Sequence, residues 1–175
     1  LPAFSVYSGP DHVVGSVQVF GSTLSLLKEF LPRWGIETTL VDLTDLDAWE
    51  KACRPNTRMF LLETPSNPGL DLVDLSRLSE IAHSRGILVN VDNCFATPIL
   101  QKPVTFGADI VVHSATKFID GQGRVLGGVI ASSREILGEL MPFYRTLGPT
   151  LSAFNGWVLS RSLETLAIRM ERHCT

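Results

Sequence analysis

Short runs of apolar and β-branched residues alternate along this chain with stretches whose apolar residues recur at helical spacing. That alternation restricts the fold more than any other feature, because strands separated by helices return to one sheet as parallel neighbours. The strand runs are Val13–Val19, Ile36–Leu43, Met59–Leu62, Ile87–Val91, Asp109–Val112 and Leu126–Ala131. Between them, residues 21–33 place Leu24, Leu27 and Leu31 on one helical side, and Asp45 opens a short helix, Leu46–Cys53, closed by Pro55-Asn56. Asp74 is the expected N-cap of a helix carrying Leu75, Leu78, Ile81 and Ala82, with Gly86 as its stop. Residues 134–144 and 151–172 read as two further helices, the second rich in leucine. The expected architecture is α/β, a mostly parallel doubly wound sheet with helices on both faces, since right-handed crossovers place them there.

Composition excludes several functions. A chain of 175 residues with 45% hydrophobic and 19% charged residues is ordinary for a globular domain. A net charge of −3 provides no basic footprint for nucleic acid or an anionic membrane. No apolar run approaches the roughly 20 residues of a membrane-spanning helix. The opening Leu1-Pro2-Ala3-Phe4 lacks the positive region of a secretory signal. Cys53, Cys94 and Cys174 are scattered and odd in number, and His12, His83, His113 and His173 have no ligand spacing, so no metal site is expected and the cytoplasm is the expected compartment. The apolar start, Leu1–Val6, and the end at Thr175 within or just after a helical pattern suggest part of a longer protein.

In open α/β sheets ligands bind beyond the carboxyl ends of the strands. Four groups fall there: Phe20 after the first strand, Glu63–Asn67 after the third, Asp92-Asn93 after the fourth and Ser114–Lys117 after the fifth. Asp92 and Lys117 stand 25 positions apart on adjacent strand-to-helix junctions. Pyridoxal phosphate needs an amine for its aldehyde, an acid opposite its pyridine nitrogen, and hydroxyls or amides for its phosphate. Lys117, Asp92, and Ser114 with Thr116, supply these types. Each piece alone has a plainer reading: a solvated loop lysine, a strand-end turn former, ordinary turn hydroxyls, a core phenylalanine. Gly121-Gln122-Gly123-Arg124 with Gly127-Gly128 resembles a dinucleotide loop only superficially. It precedes a strand instead of joining strand to helix, and a tight turn with close backbone approach is the simpler expectation.

Taken together, Glu63-Thr64-Pro65-Ser66-Asn67-Pro68, Val91-Asp92-Asn93-Cys94-Phe95-Ala96-Thr97-Pro98 and Gly107-Ala108-Asp109 leading to His113-Ser114-Ala115-Thr116-Lys117-Phe118 resemble, over essentially the whole chain, the Cys/Met-metabolism family of fold-type I pyridoxal-phosphate enzymes. The resemblance implies an incomplete aspartate-aminotransferase-like large domain. Residues 1–175 would be its central part, with an N-terminal arm and a C-terminal domain outside them. It implies Lys117 as the Schiff-base lysine and proton shuttle, Asp92 as the partner of the pyridinium, and Ser114 and Thr116 as phosphate-binding hydroxyls. It also implies Asn67 beside the ring hydroxyl and substrate carboxylate, and Phe20 as the ring stacked on the cofactor, where the family usually has tyrosine. The branch resembled most, through Cys94, Phe118, Gln122, Arg124 and Phe20, is that of the homoserine-ester sulfhydrylases, implying γ-replacement on O-succinylhomoserine by sulfide in methionine biosynthesis. Cystathionine γ-synthase and methionine γ-lyase activities, or a catalytically empty fragment, stay open. The partners implied are an amino-acid substrate, sulfide and further copies of the chain, as a dimer of dimers. The family's Ser-Gly-Met phosphate loop and substrate-carboxylate arginine are not in these residues, and Ser162 stands where the family usually has glycine.

Overall fold

The computed structural model of the protein describes residues 11–175. Six strands form one sheet: β1 (His12–Ser16), β2 (Glu37–Val41), β3 (Thr57–Glu63), β4 (Leu88–Asp92), β5 (Ile110–Ser114) and β6 (Gly128–Ser132), in the spatial order β2-β1-β3-β4-β5-β6. From β1 to β5 all neighbours are parallel, and β6 lies antiparallel to β5. From β1 the chain crosses to β2 on one side and then to β3 on the other, so the topology switches direction between β1 and β3. At that point the carboxyl ends of the strands part and leave room for a ligand.

Strict alternation along the strands builds two cores. Val14, Phe60, Leu62, Val89, Val91 and Val111 face one side. They are covered there by Trp49 of α2 (Leu46–Ala52) and by Leu75, Leu78, Ile81 and Ala82 of α3 (Leu75–His83). Val13, Met59, Leu61 and Ile110 face the other, under Leu27 and Leu31. Trp49 stacks tilted on Phe60 at 5.0 Å between centroids, and its indole N–H donates to the carbonyls of Asp42 and Leu43. Asp45 and Asp74 cap α2 and α3 by accepting from Ala48 N and Arg77 N. Gly86, at φ 67°, turns the chain out of α3 in a conformation that favours glycine.

Several elements differ from the periodicity reading. β1 stops at Ser16, not Val19, because the Ser16 hydroxyl accepts from Gln18 N while the Gln18 amide reaches Asp42 and accepts from Leu43 N, pulling the chain off the ladder. Residues 21–34 form α1 (Gly21–Ser25), a π-helical turn (Leu26–Phe30) and a 3-10 turn (Leu31–Trp34) with Pro32 near its start. Two short pieces absent from the sequence reading, α4 (Thr97–Leu100) and a 3-10 turn (Pro103–Phe106), lie between β4 and β5. β6 runs antiparallel because the segment from β5 holds one helical turn and a glycine-rich loop, and no crossover helix of the kind a parallel return needs. The helix after it, α5 (Arg134–Leu147), runs on to Gly148 at φ 68°.

The leucine-rich stretch expected as one helix is two, α6 (Ala153–Leu163) and α7 (Leu166–His173). The Ser162 carbonyl accepts from Thr165 N, the Thr165 hydroxyl and the Arg169 guanidinium, and those donors displace the next helical amide. No helix among the described residues is long and apolar enough to cross a membrane. The apolar start, Leu1–Val6, lies outside the described residues.

Candidate active site

Four strand ends converge at the switch point. β1 leads to Phe20, the residue preceding α1, half exposed at 50% with its ring at the rim. β3 ends in Glu63, buried at 2% exposure, and the turn after it carries Asn67. β4 ends in Asp92, which stands in register beside Glu63. β5 ends in Ser114, followed at once by a π-helical turn, Ala115–Ile119, that bears Thr116 and Lys117. Phe20, Asn67, Asp92, Ser114, Thr116 and Lys117 all line one cavity of about 670 Å³, a size suited to a small organic cofactor. The six candidate residues are brought together without exception.

Cys94 ties two of these strand ends together. Its thiol hydrogen-bonds Asp92, and its sulfur accepts from Ser114 N at 2.6 Å. Asp92 Oδ1 accepts from Cys94 N at 3.0 Å, which fixes the carboxylate at the turn. Burial, then the neighbouring Asp92 charge, push the Cys94 thiol up to about 12, so it stays a protonated donor. Asn93 is wholly buried, and its amide donates to the carbonyls of Thr97 and Gln101, so it builds the loop and does not face the cavity.

The Lys117 turn is fastened from behind. Arg169 of α7 donates to the carbonyls of Phe118 and Ile119 at 2.6 and 3.1 Å. Buried Asp120 accepts from Arg124 N and Nε, and Arg124 reaches on to the Ser162 hydroxyl at 2.5 Å. Ser162 therefore has a partner that links α6 to the lysine turn. Gly121 sits at φ 75°, and a Cβ there would strike the Arg169 guanidinium. The glycines after Lys117 thus serve the turn and its close packing, as their position before a strand implied. Lys117 has no ion-pair partner among the described residues.

Three groups in or beside the site carried no role in the sequence reading: Glu63 and His173 line the cavity, and His113 lines the neighbouring cleft. Glu63 was legible only as a member of a longer motif, although its strand-end position matches that of Asp92. Burial raises its carboxyl and the Asp92 charge adds to the rise. The Phe20 amide and the Asn67 side chain oppose it, and the net result is about 7. His113 is half-buried; desolvation lowers its pKa, partly offset by Asp92, and its Nδ1 has no partner among the described residues. His173, set aside as terminal, lines the cavity and meets the Phe118 ring edge-on at 5.3 Å. No sequence spacing links α7 to Lys117, so that contact had no local signal. Asp92 also borders a second, largely apolar cleft of about 790 Å³ on the sheet face, beside Leu61, Asn90 and Val112.

The residues present fit pyridoxal phosphate. An amine without an ion-pair partner among the described residues lines the same cavity as an acid, and hydroxyls stand at the start of the lysine turn. The Thr116 hydroxyl already accepts from Gly127 N at 3.1 Å, which leaves its proton available to an anionic oxygen in place of the longer bond to the Gly127 carbonyl, 3.3 Å. The fold and the cavity together correspond to one class, the fold-type I enzymes that hold this cofactor where parallel strands end. The chain belongs to the Cys/Met metabolism PLP-dependent enzyme family, whose sequence model matches residues 3–175.

Among curated relatives, an O-succinylhomoserine sulfhydrylase of Pseudomonas aeruginosa is 55% identical over 97% of this chain and 42% of its own length. An L-methionine gamma-lyase of Fusobacterium nucleatum subsp. polymorphum is 43% identical over 98% of this chain and 44% of its own. Among solved structures, cystathionine gamma-lyase from Lactobacillus plantarum complexed with L-serine superposes with a TM-score of 0.92 at 36% identity, covering 95% of this chain and 44% of that one. The chain spans less than half the length of the relatives it matches.

Proposed function

We propose that this chain is the cofactor-holding core of an O-succinylhomoserine sulfhydrylase, in which sulfide displaces succinate from the γ carbon and homocysteine is formed. Pyridoxal phosphate, when bound, supplies the electron sink that makes the substrate's Cα proton acidic. Lys117 would hold the cofactor through its amine and, once released by the substrate's own amine, take the Cα proton. Asp92 would keep a proton on the ring nitrogen through its negative charge. Ser114 and Thr116 would donate to the phosphate, Asn67 would meet the ring hydroxyl, and the face of Phe20 would stack on the ring. Loss of a second proton, from Cβ, would expel the γ oxygen with its electron pair as succinate, the sulfide sulfur would bond to the γ carbon, and protons would return to Cβ and Cα to give homocysteine.

The observation that carries the choice of reaction is Phe20. It lines the cavity with Lys117 and has no hydroxyl. A phenol there could protonate a leaving group, an effect worth about 10²–10⁴-fold where protonation matters. Succinate leaves as a stable carboxylate and gains little from such an acid, whereas a thiolate leaving from carbon gains more. The 55% identity to a sulfhydrylase supports the same choice. A methionine or cystathionine lyase is the second reading, favoured by the 43% relative. A homo-oligomer, a dimer of dimers, belongs to the proposal and is supported by exposed Phe154, Trp157 and Leu163 on α6. A cytoplasmic setting is supported by three free cysteines.

The test is kcat/KM of the full-length enzyme on O-succinylhomoserine with sulfide, on methionine and on cystathionine. The expected order places the sulfide reaction far ahead. Cleavage of methionine or cystathionine at a matching rate overturns the sulfhydrylase reading and leaves the cofactor assignment standing.

A further inference from the structure

Glu63 is a buried carboxyl with no cationic partner among the described residues; the Phe20 amide donates to it, and the Asn67 side chain favours its charged form. Its Oε2 accepts from Phe20 N at 2.7 Å. That amide belongs to the residue whose ring meets the cavity, so a bond at the backbone sets the starting direction of the aromatic side chain. Asn67 stands on the turn that follows β3. The titratable groups acting on it are Asp92 and Cys94 from the β4 end, and Lys117 and His173 share the cavity it lines. From β1 and α1 only the amide and ring of Phe20 approach, and the turn after β3 brings Asn67. Burying an unpaired acid beside another acid opposes folding, and the strand ladder itself does not require one there.

We propose that Glu63 is a positioning residue that sets the Phe20 ring against the cofactor by accepting a hydrogen bond from the Phe20 amide across the β1/β3 switch point, beside the turn that carries Asn67. The proposal rests on the pyridoxal-phosphate reading of the cavity. The bond ties the backbone of the ring-bearing residue to the end of β3, next to the turn that carries Asn67. The carboxyl titrates near 7 in the cofactor-free protein, so its strength as an acceptor changes within the working range. The sign follows from the charge. Above about 7 the carboxylate holds the Phe20 amide firmly. As pH falls through that value the acid protonates, the hold on the Phe20 amide weakens, and cofactor affinity falls with it.

The experiment uses the full-length protein, stripped of cofactor, as wild type, Glu63→Gln, Glu63→Asp and Glu63→Leu. Pyridoxal-phosphate dissociation constants are measured between about pH 6 and about pH 8.5, with circular dichroism of the bound cofactor and the melting temperature of the cofactor-free form. Glu63→Gln keeps an acceptor oxygen for the Phe20 amide and is expected to melt as wild type does. It should bind with a constant near the wild-type acid limit and lose the step near pH 7. Glu63→Leu leaves the Phe20 amide without its acceptor, and its dissociation constant should rise about tenfold or more, with a reduced dichroic band. Glu63→Asp is expected to keep the pH step, displaced, with weaker binding.

Wild-type affinity, dichroism and pH profile in both Glu63→Gln and Glu63→Leu overturn the proposal. If Glu63→Leu does not fold, Glu63→Gln decides alone, through the presence or loss of the pH step. A wild-type protein that forms no lysine-bound visible band with pyridoxal phosphate overturns the cofactor reading itself. A normal wild-type band with unaffected variants overturns Glu63 only.

Discussion

The β3–α3–β4 unit and the β5–β6 unit lie side by side in one sheet and are built to opposite ends. In the first, Asp74 caps the helix, Leu75, Leu78 and Ile81 fill the space over the strands, and Gly86 returns the chain to β4. Its helix is capped and closed by neighbours in sequence, although Thr64, Ser79 and Asn90 keep buried side-chain oxygens without a partner among the described residues. In the second, a helical turn bearing an exposed lysine follows the strand directly, and Leu126, just before β6, is 76% exposed. His113, on β5, keeps a buried ring nitrogen without a partner among the described residues. Its turn is held instead from a distance, by Arg169 and by Ser162 through Arg124. The helix of the first unit is fixed by signals close in sequence, whereas the lysine turn of the second is held by side chains from α6 and α7.

That contrast predicts opposite signatures for substitutions at the strand-end groups of the site and in the packed interior of the first unit. The largest effect is expected at Lys117. Lys117→Ala in the full-length enzyme should abolish the lysine-bound visible band and lower turnover by about 10⁴-fold or more, with its melting behaviour little changed. Borohydride reduction of the loaded wild type followed by peptide mapping should place the label on Lys117; label on Lys28, Lys51 or Lys102 would break the assignment. Asp92→Asn comes next, since a neutral amide cannot hold the pyridinium proton. Cofactor should stay bound while kcat falls by about 10²-fold or more, and wild-type turnover at neutral pH would refute its role.

In the packed unit the expected losses are of stability. Leu78 is fully buried between α3 and the sheet, and Leu78→Ala should cost about 2–5 kcal/mol in denaturant unfolding, with a normal cofactor band below the transition. The smallest effect is that of Asp74→Ala, about 1 kcal/mol from one lost cap bond and none on kcat. A variant of the packed interior that lost the cofactor band while fully folded would erase the distinction between interior and strand ends.

Much of this was legible in the linear chain because its causes are local. A cap and a stop signal bounded α3, and an uninterrupted apolar run marked β3 as covered on both faces. Each strand end could then be located to within a few residues. Phe20, Asn67, Asp92, Ser114, Thr116 and Lys117 were found because parallel strands bring their carboxyl ends to one side, so strand-end polar residues share a site even when far apart in sequence. The long ordered motifs around them then identified the family.

Other features were decided only by contacts between distant segments. The split of the last helical stretch depends on Arg169 and Thr165 meeting the Ser162 carbonyl, and the end of β1 depends on Gln18 finding Asp42 and Leu43. The antiparallel entry of β6 follows from what the connecting loop can span. Glu63 reads in sequence as the last residue of an apolar strand with a polar end. Its place beside the Phe20 amide, and its carboxyl at about 7, exist only because β1, β3 and β4 bring an amide, an acid and a low-dielectric wall around it. Periodicity and capping act over a few residues and can be read in order along the chain. Electrostatics and hydrogen bonds between strand ends depend on distances through space, which only the folded sheet sets.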